Sequence, residues 1–123
     1  RQEKVNRVRE SIGNTDLYGE SSGDLLILAW GGTYGACRSA TESMKDKGFK
    51  VSHAHLRWVN PFPKDLGETI IQFKKVLIPE INMGQLIKLV RSEFLVDAQG
   101  LNLVRGRPIG ASVIIEKAKE IIG

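Results

Sequence analysis

The sequence predicts an α/β domain in which a mostly parallel sheet lies between two layers of helices. Residues 25–29 form a continuous apolar run, which is typical of a strand buried on both faces. After it, Cys37, Ala40, Thr41 and Met44 recur at the spacing of one helix face. Strand-like and helix-like segments then alternate to the end of the chain, and such alternation produces parallel strands joined by helices.

The first part of the chain is predicted to stand apart from this domain. Residues 1–12 are charged and compatible with a helix, whereas residues 13–23 are rich in glycine, serine and asparagine and are interpreted as a linker. The predicted division is therefore 1–23, a helix and linker from a preceding domain, and 24–123, the α/β domain.

The other elements follow from periodicity and from breaker residues. Strands are predicted over residues 50–58, 76–78 and 100–104, and helices over 64–73, 83–94 and 111–122. Pro79 is expected to end the third strand early, since proline has no N–H to donate to a ladder. The sheet then has at least four strands, and an edge strand can be antiparallel.

Composition excludes several classes of protein. The 123 residues are 41% hydrophobic and carry a formal charge of +4 spread among acidic residues, so there is no basic stripe for nucleic acid. No apolar stretch approaches the ~20 residues of a membrane helix. A single cysteine rules out a disulfide framework within the chain, and we expect a cytoplasmic protein without membrane or nucleic-acid partners.

A glycine-rich turn, Gly31, Gly32, Thr33, Tyr34 and Gly35, joins the first predicted strand of the domain to its helix. Amides exposed by glycines at a helix start can bind an anion. The spacing is neither G-x-G-x-x-G nor the lysine-bearing phosphate loop. The favoured interpretation is a tight turn or a contact with another domain, and a site for a small anion or nucleotide is the alternative.

Polar residues also follow the third strand, where Glu80, Asn82 and Gln85 surround Gly84. Asn82 can cap the next helix, and a carboxylate at Glu80 suits the positive helix end. These residues either cap the helix and brace the loop or make polar contacts with another domain or a cofactor-bearing neighbour. Like the glycine turn, they are expected at the carboxyl edge of the sheet, where interaction loops lie.

Two arginines, Arg105 and Arg107, form a third candidate site. On a turn they suit a carboxylate, a phosphate or an interdomain salt bridge equally well.

The histidines and the cysteine are interpreted as structural. His53 and His55 alternate on one strand, but zinc needs more ligands than these two, so we expect buried or domain-facing rings with hydrogen-bonded neighbours. Cys37 is interpreted as a small core residue. We therefore predict no catalytic, cofactor-binding or metal-ligating residue.

Four segments in order carry a family resemblance: LLILAWGGTYGACRSA, HLRWVNPFP, KKVLIPEINMGQL and RGRPI. They resemble the carboxyl-terminal domain of the alpha subunit of 2-oxoacid:ferredoxin oxidoreductases of the 2-oxoglutarate type, over about residues 13–122. Gly32 replaces the usual serine of that family, and Pro79 interrupts a normally aliphatic strand. The resemblance implies a three-layer α/β/α sandwich similar to the transketolase carboxyl-terminal domain.

The resemblance also implies a function. Enzymes of this kind convert a 2-oxoacid to an acyl-CoA with thiamine diphosphate and magnesium, iron–sulfur clusters and coenzyme A, none of them expected in this domain. Its implied role is assembly with the remaining domains of the alpha subunit and the thiamine-binding beta subunit, and through the full complex with ferredoxin. A homodimer is a further possibility. The implied contact residues are Gly31, Gly32, Thr33, Tyr34, Gly35, Glu80, Asn82, Gly84, Gln85, Arg105 and Arg107.

Two other interpretations remain open. A freestanding nucleotide- or flavin-binding module would hold its ligand at the carboxyl edge of the sheet, near Gly32 and Gly84. Transketolase itself, or a related dehydrogenase beta subunit, would share the fold. The missing phosphate fingerprint argues against the binding module. The segment E-x-N-x-G-Q-L, residues 80–86, favours the ferredoxin-linked branch over transketolase.

Overall fold

The computed structural model describes residues 15–57, 62–81, 84–103 and 110–123. Within these ranges the strands are β1 (Asp16–Tyr18), β2 (Gly23–Trp30), β3 (Val51–Leu56), β4 (Phe73–Glu80) and β5 (Gln99–Asn102). The helices are α1 (Tyr34–Asp46), α2 (Leu66–Ile70), α3 (Gln85–Phe94) and α4 (Ala111–Ile122), and a 3-10 turn (Gly31–Thr33) precedes α1.

The strands form one sheet in the order β1-β3-β2-β4-β5. Strand β1 runs antiparallel to β3, and the other pairs are parallel. The predicted mostly parallel sheet is therefore confirmed.

Alternate residues of the central strands enter two separate cores, one on each face of the sheet. Leu26, Leu28 and Ile78 pack with α2 and α3, whereas Leu25, Ile27 and Leu77 pack with α1 and α4. All six of these side chains are fully buried. Because helices cover both faces of the sheet, the sequence of β2 is one continuous apolar run. The predicted three-layer α/β/α sandwich is confirmed.

The linker interpretation is wrong for Asp16–Tyr18, which form the edge strand β1. These residues pair with His55, Ala54 and His53 of β3. The chain then turns at Gly19, whose φ of 110° lies in the left-handed region, and the Ser52 hydroxyl donates to the Glu20 carbonyl at 2.6 Å. A three-residue strand is too short for periodicity to reveal. The helix predicted over residues 1–12 lies outside the described residues, and its origin in a preceding domain stays a prediction.

Pro79 does not end β4, which extends from Phe73 to Glu80. In a parallel pair only alternate residues donate to a given neighbour, and the pairing with β2 ends at Ile27 and Leu77. Pro79 lies beyond that point, so no donor to β2 is lost. The predicted helix 64–73 is too long at its carboxyl end. It ends at Ile70, and Phe73 already belongs to β4, where it pairs with Gly23.

No helix in the described ranges is long and apolar enough to cross a membrane.

Candidate functional site

The glycine turn after β2 and the start of α3 after β4 both lie at the carboxyl edge of the sheet. The chain leaves β2 for β3 on one side and then returns to β4 on the other side of β2. Open α/β sheets place their binding crevices at such a reversal. Here the turn after β2 leads into α1, and the segment after β4 leads into α3 on the opposite face.

The glycine turn exposes its backbone, and two of its three glycines are not required by packing within the domain. Gly31 has a φ of 72°, a conformation that favours glycine. At Gly32 and Gly35, by contrast, φ is not positive, and an added Cβ would meet no atom within 4 Å. Gly35 also lies in α1, where glycine is less favourable than alanine by up to about 1 kcal/mol.

The two other residues of the turn differ in exposure. Thr33 is buried, its hydroxyl lies 3.4 Å from the Trp30 carbonyl, and it also contacts the Cys37 thiol. Burial raises the pKa of Cys37 to about 11, which fits the predicted core role and not a nucleophile. Tyr34 is 43% exposed. Thr33 therefore holds the turn from inside, and Tyr34 is available to a partner.

Glu80 is occupied inside the domain. Its side chain is only 3% exposed, and its carboxylate accepts hydrogen bonds from the amides of Leu86 at 2.9 Å and Ile87 at 3.1 Å. These amides lack partners within the first turn of α3. Glu80 thus caps α3 from the preceding strand, and the bracing interpretation describes it correctly.

Gly84 and Gln85 begin α3. Gly84 is buried with a φ of 77°, so it serves the backbone path into the helix, whereas Gln85 is exposed. Asn82, Arg105 and Arg107, the remaining predicted site residues, lie outside the described residues. The structure therefore brings the glycine turn and the start of α3 to one edge, and Gly31, Gly32, Tyr34, Gly35 and Gln85 are the exposed candidates there.

A polar cluster that sequence reasoning found only in part lies between α1 and the β1–β3 edge. His53 is 1% exposed, His55 is half-buried, and His53 Nε2 lies 3.3 Å from His55 Nδ1. The prediction of a buried ring with a hydrogen-bonded neighbour is therefore confirmed for His53. Tyr34 contacts both rings, with centroid distances of 5.5 and 4.9 Å. Arg38 donates to the Tyr34 hydroxyl at 2.8 Å and covers the Tyr18 ring at 3.6 Å.

The available signal for this cluster was the four-residue spacing of Tyr34 and Arg38, which places both side chains on one side of α1. Their proximity to β3 depends on tertiary packing. Since His53, His55 and Tyr34 are linked by ring contacts, the cluster fastens the exposed tyrosine of the glycine turn to the sheet.

The cluster makes stability depend on pH. Burial, then His55 and Arg38, lower the pKa of His53 from 6.5 to about 4, so the unfolded chain binds its proton more readily. We expect the free energy of unfolding to contain the full contribution of neutral His53 above pH 6.5. This contribution should decline as pH falls to 4, by about 3 kcal/mol at most. His53→Gln should flatten this slope in urea denaturation between pH 7 and 4.5. Identical slopes in both proteins would contradict the assignment.

Comparison with known proteins identifies the family. Residues 23–115 match the model of pyruvate:ferredoxin oxidoreductase core domain II. The chain belongs to this family. It is 45% identical over 83 residues to the 2-oxoglutarate oxidoreductase subunit KorA of Mycobacterium tuberculosis, covering 68% of this chain and 13% of KorA. It is 27% identical to 2-oxoacid:ferredoxin oxidoreductase 2, subunit alpha, of Aeropyrum pernix, covering 99% of this chain and 20% of that subunit.

Solved structures agree with this membership. The 2-oxoglutarate:ferredoxin oxidoreductase of Magnetococcus marinus, solved with 2-oxoglutarate, coenzyme A and succinyl-CoA bound, matches 96% of this chain and 21% of its own, at a TM-score of 0.87 and 30% identity. A split-gene transketolase shares only the fold, with a TM-score of 0.64 and 15% identity. The match covers 82% of this chain and 39% of the transketolase chain. The resemblance stated from the four segments is confirmed, and it favours a subunit domain over a freestanding module.

Proposed function

We propose that this chain is the assembly domain of the alpha subunit of a cytoplasmic 2-oxoacid:ferredoxin oxidoreductase of the 2-oxoglutarate type. One observation supports it most: the family match covers residues 23–115, while the chain spans only 13% of its KorA relative. Most of such an enzyme is therefore built from other polypeptide, and this domain contributes surfaces to it. Its partners are the remaining alpha domains and the thiamine-binding beta subunit, and the full complex passes electrons to ferredoxin.

The side chains of this domain do not supply the ligands that an iron–sulfur cluster takes, and the described residues do not group the ligands of a metal ion. An iron–sulfur cluster of the common type takes four thiolates, whereas the sequence has one cysteine, and Cys37 is buried. The described ranges hold no group of three His, Cys, Asp or Glu side chains suited to a metal ion. We assign thiamine diphosphate with magnesium, the clusters and coenzyme A to the rest of the complex.

The proposed contact is the carboxyl-edge surface, defined as Gly31, Gly32, Tyr34, Gly35 and Gln85. The exposed glycines lack side chains, so a partner can approach to backbone distance. Tyr34 adds an aromatic ring with a hydroxyl, a combination that is enriched at protein interfaces. Thr33, Glu80 and Gly84, which are buried, hold the two loops in position for this contact.

Gly35→Ala tests the proposal. We expect the 123-residue chain to keep or gain stability, by up to about 1 kcal/mol, because alanine favours the helix and meets no neighbour. In the complete enzyme the added methyl group should weaken association of the alpha subunit with its partners and lower 2-oxoglutarate-dependent ferredoxin reduction. Urea denaturation of the chain, native mass spectrometry of the complex and a reduction assay measure the three quantities.

Ser39→Ala is the matched control, since Ser39 is an exposed small residue of the same helix. It should leave both assembly and ferredoxin reduction unchanged. An enzyme with Gly35→Ala that assembles and turns over normally would contradict the assigned surface. A parent enzyme that reduces no ferredoxin with any 2-oxoacid would contradict the function itself.

A further inference from the structure

Leu95 has a conformation and an exposure that the domain itself does not explain. It follows α3 with φ 54° and ψ 40°, and it is the only non-glycine residue with positive φ in the described part of the chain. The left-handed conformation at a helix end favours glycine, and a bulky side chain is disfavoured there. Yet Leu95 is a large aliphatic residue that is 89% exposed.

The backbone around Leu95 is held in place. The Leu95 amide donates to the Arg91 carbonyl at 2.9 Å, which closes the last turn of α3. The Arg91 guanidinium then donates through Nη2 at 2.6 Å and Nε at 3.2 Å to the carbonyl of Ala98, a buried residue. The segment between α3 and β5 is thus fixed at both ends, and Leu95 is presented in a defined direction.

A shallow depression lies near the end of α3, at the amino edge of the sheet. It measures about 280 Å³ and its wall includes Ile71, Phe73 and Val96, the residue after Leu95. Ile71 is itself 71% exposed. Lys74, Lys75 and Asp97 also line the depression, so its wall combines apolar and charged side chains.

We propose that Leu95 and Ile71 anchor this domain onto the part of its own alpha subunit that lies outside the 123 residues. This rests on the proposed function, because it requires that parent subunit. The surface lies at the amino edge of the sheet, opposite the carboxyl-edge surface, so the domain is held by the parent enzyme at both ends. The partner surface is an apolar pocket that receives Leu95, with a side chain that enters the depression beside Ile71.

The occupant that we propose is covalently connected polypeptide. Each partner of a stable bimolecular complex contributes about 800 Å² of surface, far more than two aliphatic side chains and a shallow depression provide. A tethered partner needs less, since its effective concentration reaches about the millimolar range. The relatives are much longer than the region they share with this chain, which is 13% of KorA and 21% of the Magnetococcus chain. Their additional polypeptide is the kind of tethered partner that we propose.

The test compares Leu95→Gly in the 123-residue chain and in the complete alpha subunit. In the 123-residue chain, glycine adopts the left-handed backbone conformation without the steric cost that leucine has there. We therefore expect the Tm of the chain to rise by a few degrees. In the subunit, the loss of the anchor should outweigh this gain and increase hydrogen exchange in residues 91–98. Leu95→Ala, which removes the anchor but keeps the unfavourable conformation, should increase exchange there without raising the Tm of the chain.

Val113→Ala is the control, because Val113 is 46% exposed on α4, away from this patch. It should leave exchange in residues 91–98 unchanged in both proteins. An equal rise in Tm in chain and subunit, with unchanged exchange, would overturn the proposal. So would a concentration-dependent dimer of the chain that Leu95→Gly abolishes, which would make a second copy the occupant, or Leu95-dependent binding to phosphatidylglycerol vesicles. None of these readouts depends on catalytic activity, so failure here is distinct from failure of the proposed function.

Discussion

Replacing Glu80 with alanine is expected to lower the free energy of unfolding by about 3 kcal/mol. The carboxylate is buried and accepts hydrogen bonds from two amides that the first turn of α3 cannot satisfy internally. Its loss leaves both donors buried without that partner and opens a small cavity, and each effect costs at least about 1 kcal/mol. Urea denaturation of the 123-residue chain measures the loss directly.

Two further variants separate capping from general effects. Glu80→Gln keeps the shape and one acceptor oxygen but turns an N–H₂ group toward an amide, so we expect about half of the alanine effect. Glu93→Ala removes an exposed carboxylate from the other end of α3 and should change stability by less than about 0.5 kcal/mol. If Glu80→Ala and Glu93→Ala had equal effects, the capping role would be wrong.

Gly23→Ala is expected to destabilise the chain by about 2 kcal/mol or more. A Cβ at Gly23 would lie 2.7 Å from the Lys50 carbonyl oxygen, too close for any side chain. The same oxygen accepts hydrogen bonds from the amides of Asp24 at 2.9 Å and Leu25 at 3.3 Å, so it cannot move without weakening the start of β2. This strain exceeds the gain of about 0.4–1 kcal/mol that alanine brings by restricting the unfolded chain.

Gly32→Ala is the matched control for this substitution. Neither glycine has a positive φ, but a Cβ at Gly32 has no neighbour within 4 Å. We therefore expect Gly32→Ala to leave the midpoint of urea denaturation unchanged or slightly raised, while Gly23→Ala lowers it. Equal midpoints for the two variants would show that the close approach of Gly23 to the Lys50 carbonyl is not a constraint.

The candidate site was predictable in its location but not in the role of each residue. Glycines and polar residues directly after two apolar runs indicated the carboxyl edge of a parallel sheet, and the structure places both loops there. Exposure then divides the candidates, because Thr33, Glu80 and Gly84 are buried whereas Gly32, Tyr34 and Gln85 are exposed. Sequence spacing alone does not show which way a loop side chain turns.

Local periodicity in the sequence determined the fold class, since a strand buried on both faces and a helix with one apolar face have distinct patterns. It also predicted α4 over residues 111–122 and a buried histidine at position 53. Only the tertiary structure decided that Asp16–Tyr18 pair with β3, that Pro79 stays within β4, and that Leu95 faces outward from a left-handed turn. These features depend on contacts between distant segments, which no local pattern of residues encodes.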